Sequence, residues 1–191
     1  MLGDRVDRAG GVCDGQAALP GGPRVIEVHG VRQRLPHRFP MLLVDRVLEL
    51  VPDERLVAVK AITCNEPWYQ NLAEDAGLEE YAYPQTLLVE SWGQAAGLLA
   101  VSGTQQAMSA DQVMLAGAMS GVAFHRAALP GDVLEHHVRL YRALSDTVIF
   151  DGHTTIDGEP AVTFTRMVMA FRPGDRLRPP AGRSARTARI P

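Results

Sequence analysis

Several features that would set the chain apart from ordinary globular proteins are scarce or missing in its 191 residues. The two cysteines, Cys13 and Cys64, are too few for a disulfide framework, and their spacing matches no metal site. No apolar run is long enough to span a membrane, and the N-terminus lacks the apolar segment of a signal peptide. These absences exclude a disulfide-stabilised secreted domain and a membrane helix, and they predict a cytoplasmic protein with reduced thiols.

Strong charge is missing as well, because the formal net charge is only −3. This balance argues against nucleic acid as a partner. One local exception is the segment 173–191, which is rich in arginine and proline and is predicted to be disordered. It is either a solvated tail or a basic arm for an acidic partner. The Gly-rich segment 1–23 is predicted to be a disordered leader, which leaves 24–172 as one domain.

An apolar helix is predicted from Pro84 to Gly103, and it contains a carboxylate. The helix is hydrophobic on nearly every side, which is typical of a helix enclosed by protein. Gly93 and Gly97 lie four residues apart, so we expect another backbone to pack closely there. Burying Glu90 in such a helix is costly unless the carboxylate has a partner or is neutral. A chain that keeps this residue is expected to use it.

The segments around this helix have the patterns of strands. Residues 41–50 form an apolar run long enough for a buried strand, and residues 56–63 alternate. The expected core face of the second segment is Val57, Val59, Ala61 and Thr63. A short helix is predicted within 25–35, and short strands are predicted at 113–118, 121–126, 133–141, 148–156 and 161–171, with a hairpin turn at Asp157-Gly158. This order predicts an α+β domain in which a curved antiparallel sheet surrounds one helix.

Four stretches of the chain, read in order, carry a family likeness. They are LPHRFPMLLVDRVLEL from Leu35, KAITCNEPWYQ from Lys60, LLVESWGQAAG from Leu87 and LAGAMSGVAFHRAALPGDVL from Leu115. Together they resemble the 3-hydroxyacyl-[acyl-carrier-protein] dehydratases of the hotdog fold, the FabZ type in particular. The resemblance implies a helix wrapped by a strongly bent sheet and dimers whose two sheets join edge to edge.

The resemblance also implies a substrate and a chemistry. The substrate is a 3-hydroxyacyl thioester on the phosphopantetheine arm of an acyl carrier protein, and neither a metal nor another cofactor takes part. Each site of the dimer uses a histidine from one subunit and a helix carboxylate from the other. Glu90 matches this carboxylate. Gln94, one turn further on, either holds Glu90 or a substrate hydroxyl, or serves only as a helix-packing amide.

The chain departs from the family pattern where the catalytic histidine belongs. Counting forward from the N-E-P motif places Leu72 at that position, and counting back from Glu90 places Ala76 there, because the loop is longer than in the family. No histidine occurs between His37 and His125. Elimination of water needs a base for the α-proton and an acid for the departing hydroxyl. The chain is therefore expected to supply the acid Glu90 and to rely on a histidine-bearing homologue for the base.

Further residues are candidates for contacts with the substrate or its carrier. Trp68 and Tyr83 either gate an acyl tunnel or belong to the core beside the helix. His125 is either a replacement base or a satisfied strand histidine. Arg38 and Arg126 either belong to a basic rim that steers an acidic carrier or are simply solvated.

Three functions fit these residues. The chain is predicted to be a dehydratase subunit in fatty-acid or polyketide-type biosynthesis, as a homodimer or as a heterodimer with the histidine-bearing homologue. The first alternative is a non-catalytic hotdog protein that binds an acyl carrier or scaffolds a synthase. The second is a thioesterase or cyclase in which Glu90 is a general base. Arginine greatly outnumbers lysine, and Lys60 is the single lysine of the chain. This bias favours a specialised pathway.

Overall fold

The computed structural model describes residues 24–103 and 112–177 of the chain. The predicted leader, 1–23, lies outside the described residues, and so does the predicted tail from residue 178 onwards. The last strand ends at Pro173, and a short 3-10 turn covers Gly174–Leu177. Within the described ranges, no helix combines the length and the apolar character needed to cross a membrane.

One helix-rich layer and one sheet build the domain. The helices are α1 (Val28–Arg34) and α2 (Gln85–Ser102), and the strands are β1 (Arg46–Val51), β2 (Arg55–Ala61), β3 (Gln112–Phe124), β4 (Val133–Ala143), β5 (Thr147–Ile156) and β6 (Glu159–Pro173). The strands form an antiparallel sheet in the order β1-β2-β4-β5-β6-β3. This arrangement confirms the predicted α+β architecture. Asp157-Gly158 forms the predicted hairpin turn, with φ of 54° and 83°.

The sheet curves around α2 and buries it. Register shifts interrupt the pairings β1–β2, β3–β6, β4–β5 and β5–β6, and such bulges bend a sheet. Trp92 of α2 is fully buried and stacks on Phe164 of β6 with ring centres 4.2 Å apart. Its Nε1–H donates to the backbone oxygen of His137 in β4 at 3.2 Å. Because a fully buried tryptophan contributes about 3–5 kcal/mol relative to alanine, this ring is a centre of the core.

Gly93 and Gly97 let side chains, rather than another backbone, approach α2. A Cβ at Gly97 would lie 2.6 Å from the Cε methyl of Met114, and a Cβ at Gly93 would lie 3.3 Å from the Cε methyl of Met167. The predicted close packing is therefore present. The expectation of a close backbone is wrong, because flexible methionine side chains of β3 and β6 fill the space.

The buried face of β2 is the opposite of the predicted one. Leu56 and Ala58 are fully buried and Lys60 is 7% exposed, whereas the predicted set lies on the more open side. The alternation was misleading because the set that is buried contains Lys60, and a lysine normally indicates the side of a strand that faces solvent. In the structure, Nζ of Lys60 lies 2.8 Å from Oε1 of Glu66, so the buried charge is paired.

Two strand boundaries also differ from the prediction. The strand predicted over 41–50 begins at Arg46, because residues 41 and 43 are hydrogen-bonded to a side chain of α2 instead of the sheet. The strands predicted at 113–118 and 121–126 form the single strand β3. The chain passes through Gly121 at φ 59°, where the Thr165 hydroxyl of β6 donates to the Gly121 oxygen at 3.3 Å, so the pairing continues.

The close approach of β4 and α2 to Gly152 gives a test of this packing. A Cβ at Gly152 would collide with the backbone oxygen of His137 and lie 3.1 Å from the Trp92 ring. We expect Gly152→Ala to lower the free energy of unfolding by at least about 2 kcal/mol, measured by urea denaturation. Gly117→Ala is the control, since its Cβ would lie at an ordinary 3.6 Å from the oxygen of Val168. Equal losses in the two variants would contradict the packing described.

Candidate active site

A glutamine side chain ties the segment after α1 to helix α2. Gln94 is 2% exposed, and its Oε1 accepts a hydrogen bond from the backbone N–H of Leu43 at 2.9 Å. Its Nε2 donates to the backbone oxygen of Met41 at 2.7 Å and to Oε1 of Glu90 at 2.9 Å. Both amide hydrogens are used, so Gln94 fixes segment 41–43 and the Glu90 carboxylate at the same time.

Glu90 lies in the second turn of α2 with its carboxylate open to solvent. Its side chain is 40% exposed, so the burial expected from the apolar helix is wrong for the single chain. The reason is its place on α2, because most residues of the helix before position 91 are exposed or half-buried and most residues beyond it are buried. Within the described residues, Oε1 has a hydrogen-bond donor and Oε2 has none. In the part of the chain that the structure describes, Gln94 holds one oxygen and the other is open to a ligand.

The structure adds a residue that sequence reasoning missed, His37. Its Nε2 lies 3.4 Å from Oε1 of Glu90, and its side chain is 33% exposed. Its other ring nitrogen, Nδ1, is buried and has no hydrogen-bond partner in the described part of the chain. His37 is far from Glu90 in sequence, and the hydrogen bonds of Gln94 to the following segment bring the two together. The available signal was a histidine inside the LPHRFP stretch that resembles the family.

A second buried network holds the same segment and α2 against the sheet. The Ser91 hydroxyl donates to the backbone oxygen of Leu43 at 2.8 Å, so the Nε2–H of His136 must donate to Ser91 Oγ, also at 2.8 Å. Nδ1 of His136 then accepts from the Thr154 hydroxyl at 2.8 Å. Burial, with nearby positive charges adding to it, lowers the pKa of His136 to about 3. The imidazole is therefore a neutral, fixed link between α2, β4 and β5.

The two loop positions predicted for the family histidine hold residues that cannot act as a base. Leu72 packs against the core and Ala76 is half-buried, and neither side chain can carry a proton. Of the acidic loop residues, Glu79 is exposed, and Glu80 is exposed and accepts a hydrogen bond from the N–H of Gly77 at 2.8 Å. These carboxylates belong to the loop's own structure and surface.

Trp68 and Tyr83 pack against each other beside the helix. Their ring centres are 6.0 Å apart in an edge-to-face arrangement, and Tyr83 is 3% exposed. Burial raises the pKa of Tyr83, and the charge of the Glu66 carboxylate raises it further. The phenol is therefore neutral and lies in the core of the single chain, and a gating role for these two residues stays a prediction.

The other predicted residues do not contact the candidate carboxylate in the described part of the chain. Nε2 of His125, just after β3, lies 3.2 Å from the Thr163 hydroxyl. Arg126 lies 3.7 Å from the carboxylate of Asp132, and Arg38 donates to two backbone oxygens of its own loop. Roles for these three in binding stay predictions. Within 24–103 and 112–177, no three His, Cys, Asp or Glu side chains lie close enough together to hold a metal ion.

Comparison with known proteins relates this site to a family. A family model described as a FabA-like domain matches residues 35–165. The 3-hydroxyacyl-[acyl-carrier-protein] dehydratase FabZ of Polynucleobacter asymbioticus is 37% identical over 139 residues, which are 73% of this chain and 89% of that protein. The FabZ of Halorhodospira halophila is 34% identical over 135 residues, which are 71% of this chain and 86% of that protein. The range matched by the family model contains His37, Glu90 and Gln94.

Solved structures of low sequence identity share the fold. A chain of the dehydratase heterocomplex ApeI:P from Xenorhabdus doucetiae superposes with a TM-score of 0.61 at 21% identity, covering 77% of this chain and 93% of that one. A thioesterase-superfamily protein from Thermus thermophilus gives a TM-score of 0.52 at 12% identity, covering 67% of this chain and 88% of that one. These likenesses confirm the hotdog fold and, at such identities, nothing beyond it.

The amide of Gln94 gives a stability prediction. Gln94→Leu would keep much of the side-chain volume and leave the N–H of Leu43 and the oxygen of Met41 without these partners. We expect a loss of about 2–4 kcal/mol in the free energy of unfolding, measured by urea denaturation. The control is Glu90→Gln, whose amide oxygen can still accept from Gln94 and which we expect to cost less than about 0.5 kcal/mol. A Gln94→Leu variant as stable as this control would show that the amide does not hold the segment.

The neutral histidine gives a pH prediction. In the unfolded chain, His136 takes up a proton below about pH 6.5, whereas the folded state, with a pKa of about 3, does not. The unfolded state then binds more protons, so His136 lowers stability by up to about 1.4 kcal/mol per unit as the pH falls below 6.5. Denaturation at pH 7 and pH 5 should show a smaller pH dependence for His136→Gln than for the native chain. A pH dependence that is unchanged in His136→Gln would refute the assignment.

Proposed function

The chain belongs to the FabA-like domain family, together with the FabZ dehydratases, and on this premise we propose that it is a subunit of a 3-hydroxyacyl-[acyl-carrier-protein] dehydratase. Its substrate is a 3-hydroxyacyl thioester carried by an acyl carrier protein in fatty-acid or polyketide-type biosynthesis. The observation that carries the proposal is the Glu90 carboxylate, which Gln94 holds by one oxygen and which is 40% exposed; the resemblance predicts the family's carboxylate at this position.

Dehydration of this substrate is an elimination of water. A base removes a proton from C2, the electron pair of that C–H bond forms the C2–C3 double bond, and the C3–O bond breaks as an acid protonates the hydroxyl. The thioester carbonyl lowers the cost of the charge that develops at C2. Two proton-transfer groups are sufficient, so the proposed reaction needs no metal and no redox cofactor.

Glu90 is the acid in this proposal. Its Oε1 is occupied by the hydrogen bond from Gln94, which leaves Oε2 to carry the proton toward the substrate hydroxyl. After the transfer, the same Gln94 donor stabilises the carboxylate. A partner subunit covering the 40% exposed side chain would exclude water from this transfer.

The base in this proposal is a histidine of a homologous partner subunit. Support comes from the sequence, because the loop positions that match the family histidine are Leu72 and Ala76. The edge strand β3 supports an association of two sheets, since it is paired with β6 on one side only in the described sheet and carries the partly exposed apolar residues Leu115, Met119 and Phe124. We propose that the two sheets join along β3.

The acid role of Glu90 is tested by one isosteric substitution. We expect Glu90→Gln to slow formation of the 2,3-enoyl thioester by at least about 100-fold, because the amide cannot donate a proton of comparable acidity. Ultraviolet absorbance of the conjugated product measures the rate, and binding of the acyl carrier should be unchanged. Glu79→Gln, an exposed carboxylate of the loop, is the matched control and should retain the full rate.

Other outcomes of the same assay distinguish the alternatives. Full activity of Glu90→Gln would overturn the acid role. If the native chain binds the carrier in every preparation and forms no product, it is a non-catalytic binding protein. Release of free thiol without an enoyl product would identify a thioesterase instead.

The partner base is tested by the composition of the assay. We expect the chain alone to dehydrate slowly or not at all, and a mixture with a histidine-bearing homologue to form a complex of defined mass and to dehydrate the substrate. Replacing the loop histidine of that homologue should abolish the gain. A chain that dehydrates equally fast without any partner would rule out the partner base.

A further inference from the structure

His37 contacts Glu90, yet the proposed reaction gives it no task. We propose that His37 is the positioning residue of Glu90, which holds the carboxylate so that its free oxygen meets the substrate hydroxyl. This inference rests on the proposed function, because it assigns a second residue to the same proton transfer.

The contacts of Glu90 are concentrated on one of its two oxygens. Oε1 of Glu90 has the amide of Gln94 at 2.9 Å and Nε2 of His37 at 3.4 Å. Both neighbours belong to one oxygen, and Oε2 is left free in the described part of the chain. The His37 distance is within ion-pair range and longer than an ideal hydrogen bond, and such contacts commonly shorten when a substrate binds. Two contacts at Oε1 restrict the rotation of the carboxylate and direct Oε2 outward.

The orientation of His37 excludes it as the base that removes the C2 proton. Its Nδ1 is buried and its Nε2 faces the Glu90 carboxylate. Neither ring nitrogen is therefore free to meet a substrate carbon acid. A histidine in this orientation acts on the reaction through Glu90, which leaves the partner's histidine as the base.

The backbone on both sides of His37 is anchored. On one side, Arg38 Nη1 donates to the backbone oxygens of Leu35 at 2.8 Å and of His37 at 2.6 Å. On the other side, Gln94 holds residues 41 and 43. The Arg38 guanidinium therefore lies against the backbone of His37. An anchored backbone limits the freedom of the ring and makes the contact with Glu90 reproducible.

The chemical consequence concerns the proton of the acid. Oε2 gives its proton to the hydroxyl, the C3–O bond breaks, water leaves, and the negative charge remains on Glu90. A donor on Oε1 stabilises that charge as it forms. Loss of His37 should therefore slow the chemical step and leave substrate binding almost unchanged.

The experiment uses the preparation that dehydrates a 3-hydroxyacyl carrier thioester, with its partner subunit where one is needed. We expect His37→Leu to lower kcat about 10- to 100-fold with little change in KM, a loss on the scale of one transition-state donor. His37→Gln, whose amide can donate to Oε1, should recover most of kcat. His29→Leu, an exposed histidine of α1, is the control and should keep the native kcat.

A double variant separates positioning from a general structural effect. Because His37 acts through Glu90, His37→Leu combined with Glu90→Gln should be no slower than Glu90→Gln alone. A double variant slower than that, or a His37→Leu variant equal to the His29→Leu control, would overturn the proposal. So would an inactive His37→Leu variant that glutamine does not rescue, because His37 would then itself react.

A measurement without substrate keeps this proposal distinct from the proposed function. If no preparation dehydrates the substrate, the proposed function fails, and the contact can still be tested by thermal denaturation. The Tm loss of the double variant should then differ from the sum of the losses of His37→Leu and Glu90→Gln by about 1–2 °C. Strictly additive losses would mean that the two side chains do not interact.

Discussion

The three hydrogen bonds of the Gln94 side chain are the constraint on which the candidate site depends. One amide joins the backbone at residues 41 and 43 to the carboxylate of Glu90 on α2. Without it, the Ser91 hydroxyl would remain as a tie between Leu43 and the helix, but the segment that carries His37 would be held less firmly, because β1 begins only at Arg46. The amide is buried, so water does not compete for its hydrogen bonds. An uncharged residue thus determines where His37 and Glu90 meet.

The site is rigid on the inside and open on the outside. Below the carboxylate lie groups that are neutral and fully bonded, namely the amide of Gln94 and the chain of hydrogen bonds through Ser91, His136 and Thr154. Above it, the side chain of Glu90 is half-exposed, and its Oε2 has no hydrogen-bond donor in the described part of the chain. Such a gradient suits a proton-transfer group, because a fixed support orients the side chain while its reactive atom stays accessible. The same gradient explains why the buried His136 is structural, whereas the half-exposed His37 lies at the site.

The sequence predicted most of the architecture and, of the candidate site, Glu90 and Gln94 but not His37, for identifiable reasons. The apolar helix and its carboxylate could be recognised because their signals are local, and the order of four motifs was sufficient for the fold. His37 could not be assigned, because its contact with Glu90 depends on tertiary hydrogen bonds between distant segments. The core face of β2 was predicted wrongly because Lys60 is buried against Glu66, and no periodicity reveals such a pair. Periodicity reports average polarity and cannot detect compensation between partners.

The burial of Lys60 has a practical consequence beyond the fold. It is the single lysine of the chain, and its side chain is only 8% exposed and paired with Glu66. Reagents that modify lysine amines, such as ester cross-linkers, fluorescent labels and immobilisation chemistry, will therefore find almost no lysine target on the folded protein. This low background reactivity is useful, because a lysine introduced at any chosen surface position becomes a nearly unique site of modification. Cross-links from such positions to a partner subunit could map an interface one residue at a time.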